Sequence, residues 1–93
     1  MDAYSEIARK IISAQVAILG PVALKIAQGI NGLDVHDKEH PVVQAEPIAV
    51  LTDLVSGYSS FFGKVSIEVC REATKEAVNS TTTVELPEVL KSA

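Results

Sequence analysis

Two imidazoles four residues apart, His36 and His40, stand among three carboxylates, Asp34, Asp37 and Glu39. These are the ligand types of zinc, and on a helix that spacing sets both rings on one face. The local sequence opposes a helix there. Gly32 precedes the segment, Pro41 follows it at once, and no apolar periodicity runs through it. Glutamate does not follow the first histidine, so the H-E-x-x-H metalloprotease pattern is not met. The segment reads as a solvated charged loop, and no metal or other cofactor is assigned to it.

Cys70 is the one thiol. A nucleophilic cysteine needs a lowered pKa and an aligned base. Neither histidine is near it in sequence, and it falls on or beside an apolar helical arc. It reads as a small buried hydrophobe. Gly29 and Gly32 make a G-x-x-G without the flanking strand and the Lys-Ser/Thr pair of a phosphate loop. No catalytic residue is assigned, and the expected function is non-enzymatic.

The elements that must position these residues begin with Tyr4 to Ala27. On a wheel of about 100° per residue, Tyr4, Ile7, Ala8, Ile11, Ile12, Ala14, Ile18 and Leu19 share one wide arc. Ser5, Glu6, Arg9, Lys10 and Ser13 take the other. Gln15 lies inside the apolar arc, where an unpaired amide costs about 1–3 kcal/mol. It either bonds to a neighbouring carbonyl or fixes register at a helix–helix seam. Pro21 cannot donate to the carbonyl of Ala17, and Gly20 is suited to a helix end. The pair predicts a break or kink, then a second helix from Pro21 to about Asn31. Val22, Ala23, Ile26, Ala27 and Ile30 form its inner face, with Lys25, Gln28 and Asn31 outside.

Past Gly32, the stretch from Leu33 to Glu46 loses helical periodicity and is long for a helix–helix connection. Val42 and Val43 are candidates to pin it to the core. Pro47 opens a third helix, with Glu46 before it suiting the helix dipole. Ile48, Val50, Leu51, Leu54, Val55, Tyr58, Phe61 and Phe62 share its apolar arc, and the aromatic residues are expected in the core. Gly63 marks a second corner. Lys64 to Cys70 alternates like a strand, but the continuation to Val78 is strongly helical in propensity, which favours a fourth helix from Lys64 to Asn79. Asn79 to Thr83 is polar and turn-like. The tail carries Leu86, Val89 and Leu90 around Pro87 and is a candidate to dock onto a neighbouring copy.

The expected fold is therefore all-α: a compact bundle of three to four helices, with a break at Gly20-Pro21 and one long charged loop. The bundle covers residues 1–79, and 80–93 form a short C-terminal tail. A chain of 93 residues buries only about 60–65% of its unfolded surface, yet 47% of its residues are hydrophobic. The excess predicts a partner, most simply a second copy.

A net charge of −4 without a basic patch excludes the electrostatic footprint of nucleic-acid binding and opposes attraction to an anionic membrane. Polar residues and the Gly-Pro pair argue against membrane insertion of Ile11 to Ala27. The single cysteine and the acidic start, Met1-Asp2, suggest a reducing, cytoplasmic setting.

The expected function is a helical interaction or adaptor module that self-associates, as a homodimer or higher homo-oligomer, and presents an apolar surface to a protein partner. Its expected interface is Ile7, Ile11, Gln15, Ile18, Val22 and Ile26. The alternative is a small-molecule or lipid carrier, with a cavity between the first and third helices lined by Ile11, Leu54, Tyr58 and Phe62.

Overall fold

The computed structural model describes residues 2–78 and 84–91. Four α-helices dominate: α1 (Ala3–Leu19), α2 (Pro21–Gln28), α3 (Pro47–Phe62) and α4 (Lys64–Ala77). The all-α bundle, the break at Gly20-Pro21 and the start of α3 at Pro47 agree with the sequence. The ambiguous Lys64–Cys70 stretch is helical. Its predicted end at Asn79, and the polar stretch to Thr83, lie outside the described residues. Among these residues no helix is long and apolar enough to cross a membrane.

Two helix starts are capped by a side chain. Asp2 caps α1 by accepting from the Ser5 amide at 2.8 Å. Glu46 caps α3, its two carboxylate oxygens accepting from the Ile48 and Ala49 amides at 3.3 and 2.8 Å. Helix α2 stops at Gln28, three residues before the predicted Asn31. The backbone there tightens into single turns, with the amides of Gly29 and Ile30 bonding three residues back.

The charged loop is more ordered than its polarity suggests. Leu33–Asp34 (β1) pairs antiparallel with Val42–Val43 (β2), Leu33 opposite Val43 and Asp34 opposite Val42. Leu33, Val35 and Pro41 are buried, while the tip, His36 to His40, is exposed throughout. Val43 packs on the core, whereas Val42 is exposed.

Helices α1 and α4 pack most extensively, and α3 lies against both α4 and α2. Ile7, Ile11 and Ile12 of α1 share the core with Val50, Leu51, Leu54, Val55 and Tyr58 of α3. The described part of the tail, residues 84–91, folds back on its own chain. The Tyr4 hydroxyl donates to the carbonyl of Glu85 at 2.9 Å, Arg71 donates to that of Val89 at 3.0 Å, and Leu90 is buried.

Candidate functional site

Two corners of the chain have the same construction. Gly20 ends α1 and begins α2 at φ 77°, ψ −156°; Gly63 ends α3 and begins α4 at φ 77°, ψ −161°. At each, the glycine amide bonds four residues back at 2.8 Å, to Val16 or Ser59. The glycine carbonyl accepts from three residues on at 3.1 Å, from Ala23 or Ser66. The molecule is thus two helix–glycine–helix corners packed together. The side chains of α1 and α4 meet antiparallel: Gln15 reaches Ser66 and Lys10 reaches Glu76. So do those of α2 and α3: the Tyr58 hydroxyl donates to the carbonyl of Ala23 at 2.9 Å, and Gly57 faces Ile26. Both corners therefore lie at one end of the bundle.

That end is apolar and wet. Phe61 is 70% exposed, Val65 69% and Ile18 61%, with Val22 and Phe62 exposed to a lesser degree. The two phenylalanine rings lie 6.2 Å apart, tilted by 40°. The helical wheel places both on the apolar arc expected to be core. They sit in the last turn of α3, beside the Gly63 corner, and point outward. Their adjacency to a corner glycine is the signal that the wheel alone misses, and Val65 shares it.

From this end an open groove of about 430 Å³ runs between α2 and α3. Val22, Ile26 and Ile30 form one wall, Gly57 and Phe61 the other, and Lys25 stands on the rim. Gly57 lets the helices close up, because a Cβ there would lie 3.1 Å from Cγ2 of Ile26. A second groove, of about 530 Å³, follows the α1–α4 seam. Its ionised groups are all paired within the chain: Arg9 with Glu6, Lys10 with Glu76, Glu68 with Arg71 and Glu72 with Lys75.

The predicted interface divides in two. Ile7 and Ile11 are buried in the chain's own core cluster, and Gln15 is buried with its amide bonded to Ser66 of α4. That half of the expected seam is corrected: it is core. Ile18 and Val22 are exposed and Ile26 lines the α2–α3 groove. Of the residues expected to line a carrier cavity, Ile11, Leu54 and Tyr58 are fully buried in one core cluster, while Phe62 is exposed.

The loop histidines do not converge. His36 Nε2 lies 3.4 Å from Asp34, and His40 Nδ1 lies 3.0 Å from Asp37. Asp37 also accepts from the Glu39 amide at 2.8 Å, which with His40 holds its carboxyl below the ordinary range. Among the described residues, no three His, Cys, Asp or Glu side chains are grouped to hold a metal ion. Cys70 is buried, and burial pushes its thiol up to about 11, against the lowering effect of the Gln15 amide. Such a thiol is a poor nucleophile near neutral pH. Burial, with Cys70 beside it, also raises Tyr58.

Fold and surface together define a small four-helix protein built from two like corners, with an exposed apolar end. Compared with family models, curated proteins and solved structures, the chain matches none.

Proposed function

We propose that this protein is a non-catalytic helical interaction module that self-associates and presents an apolar surface to a protein partner. The observation that supports this most is the cluster of five large apolar side chains, Ile18, Val22, Phe61, Phe62 and Val65, exposed at one end of so small a bundle. Scattered single apolar residues are ordinary on a protein surface, but a grouped set points to a contact. Covering a Val, Ile or Phe contributes about 1.5–3 kcal/mol when it becomes fully buried. Association forfeits about 4–15 kcal/mol of freedom. A contact that covers two or three such residues on each of two copies reaches that range, so the expected affinity is modest. The lone, buried Cys70 supports a reducing, cytoplasmic setting.

Size-exclusion chromatography with light scattering over a dilution series tests the reading. A mass that moves from dimer to monomer on dilution is expected. A constant monomer at high micromolar concentration removes self-association from the proposal.

A further inference from the structure

We infer that α1 and α4 carry a peptide-binding seat, filled in this structure by the chain's own tail, residues 84–91, and filled in the dimer by the same tail of a second copy. This rests on the self-association reading and supplies its contact: two copies that exchange tails.

The tail is held as a ligand is held. The start of α1 lies beside the end of α4, since Lys10 reaches Glu76. From there the tail returns along α4, Glu85 meeting the first turn of α1 and Val89 meeting Arg71 in the middle of α4. Among the described residues, no backbone–backbone hydrogen bond joins it to the rest of the chain; the amides of Leu90 and Lys91 bond within the tail itself. The body grips it with two side-chain donors. The Tyr4 hydroxyl holds the carbonyl of Glu85 at 2.9 Å, and the Arg71 guanidinium holds that of Val89 at 3.0 Å. Glu68 accepts from the other arm of that guanidinium at 2.8 Å. Pro87 and Leu90 are buried, Val84, Leu86 and Val89 pack against the core, and Glu85, Glu88 and Lys91 face water. Donors on carbonyls position a main chain of any sequence, and the buried side chains read which sequence it is.

These contacts are the same whichever copy the tail comes from, because a second copy offers the same two carbonyls and the same Pro87 and Leu90. The tether favours the chain's own tail, through an effective concentration of about the millimolar range for a short linker. Symmetry offsets that advantage in a dimer. Each tail crosses to the other copy, both seats stay filled, and once one tail has crossed the second crossing is also intramolecular. The seat begins at the end of the bundle far from Gly20 and Gly63, so the exchange leaves the apolar corner end open to the protein partner.

The test uses the full chain and a synthetic peptide of residues 84–91. Added in excess, the peptide is expected to compete for the seats and shift the parent from dimer to monomer, read as mass by light scattering. The same peptide carrying Leu90→Asp should not. In the full chain, Leu90→Asp spoils the tail and spares the seat, while Tyr4→Phe/Arg71→Ala spoils the seat and spares the tail. Each is expected to weaken the dimer about tenfold or more. Mixed, the two should pair with each other more tightly than either pairs with itself, since one supplies the seat and the other the tail. A fluorescein-labelled peptide should bind the Leu90→Asp chain at least about tenfold more tightly than the parent, whose own tail competes. Circular dichroism checks that the helices persist; should either variant lose them, peptide competition on the parent decides alone. A parent dimer indifferent to excess peptide, or a mixture that pairs no better than its components, overturns the exchange but leaves self-association standing. A parent chain that is monomeric throughout overturns both.

Discussion

The side-chain amide of Gln15 donates to the carbonyl oxygen of Ser66 at 3.1 Å, across the α1–α4 seam, with the Sγ of Cys70 3.4 Å away. A polar residue in the middle of the apolar arc of α1 is thus satisfied by a carbonyl more than fifty residues along the same chain. The contact ties α4 to α1, and Ile7 and Ile11 on the same arc are buried in the core. The excess apolar surface that calls for a partner lies at the corner end instead.

Gln15→Ala should lower stability by about 2–4 kcal/mol, combining a lost buried hydrogen bond with a cavity. Gln15→Met should stay within about 1.5 kcal/mol of the parent, because it keeps the volume and removes the polar group. Urea unfolding followed by circular dichroism separates the two. Equal losses would mean that the amide bond dominates and the volume does not matter.

The helices were legible because their punctuation is local. Gly20-Pro21, Pro47 and Gly63 each act through their own backbone restrictions, and the structure breaks or begins helices at all three. The partner of each apolar face was less legible. A wheel shows that Ile7, Ile11 and Gln15 face something apolar, but not whether that is α4 or another molecule. The outward turn of Phe61 and Phe62 depends on no described element covering the last turn of α3, a tertiary fact. The β1–β2 ribbon was hidden because two paired residues per strand leave no period to detect. The groove at Gly57 needed the neighbour, Ile26, which sequence spacing does not supply.

Gly20→Ala and Gly63→Ala should each destabilise by about 1–3 kcal/mol. A Cβ at either position would meet nothing within 4 Å, so simple crowding predicts no effect. The backbone decides otherwise: φ 77° with ψ near −160° is a region occupied almost only by glycine. The two variants should lose similar amounts, since the corners share one geometry. A melting temperature unchanged by both would count against that geometry.

Ser5→Ala should cost about 1–2 kcal/mol despite the better helix propensity of alanine. The Ser5 hydroxyl donates to Asp2 at 2.9 Å and accepts from the Val43 amide at 3.0 Å, tying the first turn of α1 to β2. Its loss leaves that amide without its acceptor. Amide hydrogen exchange should show Val43 losing protection while the α3 core keeps it. Asp2 itself is held below its ordinary 3.8, chiefly by the Ser5 amide. Its contribution is present above that value and falls away as pH drops through the lowered one.

Alkaline pH should destabilise the protein through the α1–α4 seam. The Cys70 thiol is raised from its ordinary 9.0 to about 11 in the folded chain. Below about pH 9 the thiol is protonated in both folded and unfolded states and stability is unaffected. Between about 9 and 11 the unfolded thiol ionises while the buried one keeps its proton. The unfolded state then binds fewer protons, and stability falls with a slope of up to about 1.4 kcal/mol per pH unit. Tyr58, also raised by burial, adds to the loss above its ordinary 10.0. Urea titrations at several pH values between about 8 and 10 would measure the slope. In Cys70→Ala the whole curve should lie lower, because a small cavity opens, but its decline from about pH 9 should be shallower than the parent's. Parallel curves for the two proteins would show that the thiol is not shielded as its burial beneath Gln15 requires.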